Sequence, residues 1–178
     1  WEAVYETALE KMSQPDWSQQ VLQQSKLEGV FLTNDFDDPL EGFDTSVYIP
    51  CLRTDDLVFH LNKPETRKRL AAATGETVGD AQTLRTAIEH FKAKGAKACA
   101  ISLPPNFTPR KPSDRETDVA VKAVCNEALA VGDEERATAA CFTFWTLAEY
   151  CAEYKLPFDL MIGVNRSVYP AGVHQGQD

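Results

Sequence analysis

Histidine is scarce, with three residues in a chain of 178. His60, His90 and His174 form no H-x-H pair and no H-x-x-x-H pair, so no histidine-based metal motif is legible. No stretch approaches the roughly 20 apolar residues that a membrane helix needs. The N-terminus has neither the basic nor the apolar region of a signal peptide. Positive charge is also short: 18 Lys and Arg face 27 Asp and Glu, for a net charge of −9. That balance argues against a nucleic-acid partner, because phosphate backbones need clustered cations. The densest basic cluster, Lys63 to Arg69, reads as one solvated helix face. No G-x-G-x-x-G and no P-loop follows an apolar run, which counts against a nucleotide-binding sheet. The five cysteines (Cys51, Cys99, Cys125, Cys141 and Cys151) are odd in number and include no C-x-x-C. That argues against a disulfide framework or a zinc knuckle, and buried free thiols in a reducing cytoplasm are expected.

What is present is an ordinary globular composition, 43% hydrophobic and 10% aromatic, enough for one core. Trp1, Val4, Tyr5, Ala8, Leu9 and Met12 repeat at helical spacing, and Pro15 starts a second helix through Trp17, Val21 and Leu22. Four short apolar runs read as strands: Leu27 to Leu32, Val47 to Leu52, Lys97 to Leu103 and Phe158 to Val164. Pro50 weakens the second as a central strand. Between them lie helices with legible ends: Pro64 to Gly75, a helix after Asp80 with Leu84, Ala87, Ile88 and Phe91 as its apolar face, a helix through Val121 and Val124, and a long one from Asp133 to Lys155. Pro104 to Ser113, with four prolines, is a loop, as is the tail from Asn165.

Apolar strands alternating with helices predict an α/β fold with a parallel sheet. In such folds ligands bind at the carboxyl ends of the strands. The candidates are Asn34, Asp35, Asp37 and Asp38 after the first strand, Arg53 and Asp55 after the second, Ser102 to Asn106 after the third, and Asn165 and Arg166 after the fourth. Arg53 and Arg166 suit a carboxylate, through paired N–H bonds. Asp37-Asp38-Pro39 also reads as a turn, and Arg53 with Asp55 also reads as an internal salt bridge. Met161 is a poor ligand for a hard divalent metal. No Ser-His-Asp arrangement is legible, and no residue is assigned as catalytic.

Four segments, in order, resemble uronate isomerase, a member of the amidohydrolase superfamily. Asn34-Asp35-Phe36-Asp37-Asp38-Pro39 is similar to that family's T-T-D-D-P strand end, and Leu52-Arg53-Thr54-Asp55 to its W-R-P-D. His90-Phe91-Lys92-Ala93-Lys94-Gly95 resembles H-F-x-x-x-G, and Leu160-Met161-Ile162-Gly163-Val164-Asn165-Arg166 resembles L-H-I-G-x-x-R. The resemblance implies a (β/α)8 TIM barrel and aldose–ketose interconversion of hexuronates such as glucuronate and fructuronate. It assigns Arg53 to the sugar acid, with Asp55, Asp37 and Arg166 beside it as substrate-binding residues. The family's H-x-H has no counterpart here, and Met161 and Leu52 replace its strand histidine and its tryptophan. The resemblance leaves a divalent metal open for the parent protein, with none expected in this chain. A complete barrel takes about 250 residues, so the expectation is a single partial domain, 1–178, cut from a longer chain and inactive alone. Another metal-dependent hydrolase of the superfamily, or a non-catalytic sugar-acid binding module, are the alternatives. An open inner face bearing Val30, Leu32, Ile49, Ile101 and Ile162 would favour a homo-oligomer.

Overall fold

The computed structural model describes residues 1–75, 77, 81–125 and 131–163, with residues 81–85 as backbone alone. Two helices come first, α1 (Glu2–Met12) and α2 (Trp17–Ser25). The first two apolar runs pair side by side as β1 (Val30–Phe31) with β3 (Tyr48–Ile49); the pairing then continues past the first run, where Asn34 and Asp35, expected to follow the strand, form β2 (Asn34–Asp35) against β4 (Cys51–Arg53). Val30 pairs with Tyr48 and Asn34 with Leu52, so one parallel register runs through both pairs. The ladder breaks at Pro50, which has no N–H to donate, although its carbonyl still accepts from Lys97 N at 3.0 Å. Next come α3 (Asp55–Phe59), α4 (Pro64–Thr74) and α5 (Ala81–Ala93), then β5 (Ala98–Leu103), α6 (Asp114–Cys125), α7 (Asp133–Tyr154) and β6 (Phe158–Ile162).

The helix ends follow local chemistry. Pro64 presets the first turn of α4, and Gly75 ends it at φ +77°, where a side chain would be strained. Ser113 and Glu116 form a reciprocal box that opens α6: Ser113 N donates to Glu116 Oε2 at 2.8 Å, and Glu116 N to Ser113 Oγ at 3.4 Å.

The main sheet has the order β2-β4-β5-β6, every pair parallel. Within this sheet the strands lie in sequence order, with α3, α4 and α5 between β4 and β5 and α6 and α7 between β5 and β6, as in the wall of a βα barrel; the link from β2 to β4 carries no helix. The described residues form no closed barrel. The core lies between this sheet and the helices. Leu52, Cys99, Ile101 and Leu103 pack there with Leu57 and Leu70, with Ile88 and Phe91 of α5, and with Phe144 and Leu147 of α7.

Strand β5 is buried along nearly its whole length, and its two faces differ. Cys99, Ile101 and Leu103 meet the helices. Ala98 and Ala100 turn the other way and form a separate cluster with Cys51. This corrects the expected inner face. Ile101 belongs to the helix-side core, and Ile162 pairs with Leu103 on that same side at the exposed edge strand. The inner face is lined by small side chains because the bulky ones went to the helices. Helices α1 and α2 bury none of their residues, so they cover neither face among the described residues.

Ile101 is fully buried and Ile162 is 75% exposed. Ile101→Ala is expected to cost about 2–5 kcal/mol in stability, and Ile162→Ala less than about 0.5 kcal/mol. Chemical denaturation of both variants checks this; equal losses would contradict the difference in burial.

Candidate functional site

The carboxyl ends of β2, β4 and β5 lie together because the strands are parallel and in register. Thr54 closes β4. It is fully buried, and both its backbone N and its Oγ1 donate to the Ala100 carbonyl, at 2.9 and 3.0 Å. The next residue, Asp55, opens α3 and accepts from Ser102 N on β5 at 3.3 Å. Its other oxygen accepts from Arg53 Nε at 3.4 Å. Arg53 is therefore the last residue of β4, as the apolar run implies, braced by a carboxylate that is itself tied to the neighbouring strand. Its side chain remains 46% exposed.

Parallel pairing sets the row in which Arg53 sits. Asp35 pairs with Arg53, Arg53 with Ala100, and Ala100 with Asp159. Partners in register share a face, so these four residues cross the sheet on the side away from the helix core. Ser102 and Met161 pair one step further toward the carboxyl ends. Cys51 lies one step below, where burial first and the Asp159 charge second push its thiol up to about 11.

Asp37 has a different partner. Arg69 of α4 donates from Nη2 to Asp37 Oδ1 at 2.6 Å and from Nε to Oδ2 at 2.7 Å. The same guanidinium reaches Asp56 at 2.8 Å and Asp35 at 3.2 Å, and it lies 4.8 Å above the ring of Phe36. Asp56 also meets His60 Nδ1 at 2.9 Å. The Arg69 hydrogen bond holds the Asp37 carboxyl below the usual carboxylate range. Burial would raise Asp56, but the bonds from His60 and Arg69 outweigh it and hold that carboxyl low as well. Arg69 itself is pushed further up, chiefly by Asp37.

The basic run is thus not one solvated face. Arg69 stands among three carboxylates, and Arg67 donates to the carbonyls of Leu61, Asn62 and Val124. Within the sequence, the only hint of this was the excess of aspartates after the first strand, which calls for a counter-charge. Asp159 was also missed, although a charge inside an apolar strand is itself a signal. Asp37 is engaged by Arg69 through both oxygens, and Arg53 by Asp55; Arg166 lies outside the described residues, as does His174. The proline loop after β5 is strapped to α7, with Trp145 Nε1 donating to the Pro109 carbonyl at 2.9 Å and Arg110 to Thr138 Oγ1 at 3.2 Å.

Among the described residues no group of three or more His, Cys, Asp or Glu is arranged to hold a metal ion. The aspartates that come together surround a guanidinium. All five cysteines are free thiols, and among the described residues no helix is long and apolar enough to cross a membrane.

The strand order, the parallel pairing and the outer helices define part of a TIM-barrel-like α/β fold. No family model matches the sequence, and no curated protein matches it. Among solved structures, the chain is similar to a uronate isomerase from Thermotoga maritima, with a TM-score of 0.68 at 19% identity. The match covers 86% of this chain and 36% of that one, so the chain spans just over a third of the length of the enzyme it resembles. At that identity the likeness concerns the fold.

The Arg69 cluster has a pH signature. Asp37 and Asp56 titrate lower folded than unfolded, so their contribution is complete above the unfolded carboxyl range near about pH 4 and is lost as pH falls through the folded values. These groups are partly exposed, so screening limits the loss on Arg69→Met to about 1–2 kcal/mol, or roughly 2–8 °C in Tm at neutral pH. Thermal unfolding at neutral pH and at about pH 3 should show the gap to wild type narrowing in acid. A gap independent of pH would contradict the clamp.

Proposed function

We propose that this chain forms part of a uronate isomerase-like barrel and that its share of the work is to hold a hexuronate by its carboxylate. The observation that carries this reading is Arg53: an exposed guanidinium at the carboxyl end of β4, braced by Asp55, on the face away from the helices. A planar guanidinium offers a carboxylate two parallel N–H bonds. The fold likeness and the four resembling segments agree with this choice of ligand.

Aldose–ketose interconversion moves a proton between adjacent carbons. It needs a base and electrophilic stabilisation of the enediol. None of the described residues is assigned to either role, so the chain alone binds and does not turn over. The cytoplasm is its proposed location, consistent with five free thiols. A second reading, a sugar-acid binding module without catalysis, is favoured by one specific feature: Met161 stands where the resembling strand has its histidine, and no metal-holding group accompanies it among the described residues.

Backbone amide NMR during titration with glucuronate tests the reading. Shifts are expected at Arg53, Asp55 and Ser102, and Arg53→Ala should weaken binding by about 10–100-fold, the equivalent of losing charge-assisted hydrogen bonds worth about 1.5–3 kcal/mol. Glucose, lacking the carboxylate, should leave these amides unmoved. Glucuronate binding that is indifferent to Arg53→Ala would overturn the assignment.

The purified chain should also show no conversion of glucuronate or galacturonate in metal-replete buffer. Turnover above a host-protein control would contradict the division of labour proposed here.

A further inference from the structure

The inner face has a second polar pole that neither the fold likeness nor the resembling motifs assign. Asp159 sits on β6 in the same register row as Arg53, with Ala100 between them. Two strand spacings of about 4.8 Å separate the two backbones by about 10 Å. Ala98 and Ala100 are buried in a small cluster with Cys51, so on this face β5 carries only methyl groups between the two poles. Asp159 is exposed, and among the described residues it meets no hydrogen-bond donor. Its neighbours on the strand, Leu160 and Ile162, pair with Ile101 and Leu103 and face the other way. An ionised carboxylate accepts hydrogen bonds and donates none. One end of this row therefore presents donors and the other acceptors, with a buried alanine between.

We infer that Asp159 is a specificity-determining residue that accepts hydrogen bonds from the hydroxyls of a polyhydroxylated acid whose carboxylate is held by Arg53. The inference rests on the proposed function and adds the hydroxyl-reading pole to it. A ligand with a carboxylate at one end and hydroxyls along its length matches both poles. Five C–C bonds of about 1.5 Å each give a six-carbon acid the reach, once the two side chains lean in. A dicarboxylate of the same length would set like charges against each other at Asp159 and is disfavoured. The pair thus selects for polyols bearing a single acid group.

The test uses the 178-residue chain, with glucuronate and cyclohexanecarboxylate as probes; the second has the acid group and no hydroxyls. By NMR titration, Asp159→Ala should weaken glucuronate by about 5–20-fold, the effect of losing one or two hydrogen bonds. It should leave cyclohexanecarboxylate unchanged. Asp159→Asn, which keeps an acceptor oxygen in the same shape, should fall between wild type and Asp159→Ala. Arg53→Ala should weaken both probes. If Asp159→Ala binds glucuronate as tightly as wild type, or weakens both probes equally, the inference fails while the Arg53 assignment stands. If wild type binds neither probe, the Arg53 assignment fails and the inference goes with it.

Discussion

The register between β4 and β5 is the constraint on which the rest depends. Thr54 sets it by donating two hydrogen bonds to the one carbonyl of Ala100. With that lock in place Leu52 enters the helix-side core, fully buried, and Arg53 emerges on the opposite face. A slip of one residue would exchange them, because side chains alternate along a strand. The guanidinium would then face the apolar core, where an uncompensated charge costs several kcal/mol. The same register brings Ser102 N to Asp55 and so fixes the carboxylate that braces Arg53. A buried threonine thus determines what the exposed arginine beside it can do.

Two arginines near the strand ends have opposite roles. Arg69 is saturated: Asp37, Asp56 and Asp35 surround it, and its hydrogen bonds tie the turn after β2 to the start of α3 and to the body of α4. Arg53 has one long contact and remains half exposed. In a chain of net charge −9, an anionic ligand needs a local positive field. The clamp around Arg69 serves this indirectly. By binding the aspartates to a charge of their own, it keeps them from competing for Arg53.

Much of the fold was legible because its boundaries are chemical. Pro64 and Gly75 bracket α4, and Asp133 and Lys155 bracket α7, with Lys155 adopting the left-handed conformation that ends the helix. The second, third and fourth apolar runs hold adjacent parallel strands, whereas the first joins the main sheet only through Asn34 and Asp35 beyond its end. The facing of β5 was not legible. Ala98-Cys99-Ala100-Ile101 is apolar on both sides, as strands of covered parallel sheets are, so no alternation shows which residues meet the helices. Arg53 was found because it directly follows an apolar run. Arg69 was not, because its partners lie 13 to 34 residues away and helical periodicity alone makes it look solvated. Asp159 needed the register before it could be seen as a neighbour of Arg53 across Ala100.

The central claim is that one arginine is structural and the other is free to bind an acid. The most direct measurement is the side-chain Nε–H resonance of each, followed by NMR as glucuronate is added at neutral pH. The account predicts that the Arg53 resonance moves and saturates with the ligand while that of Arg69 stays where it was. Movement of Arg69 with Arg53 unchanged would contradict it.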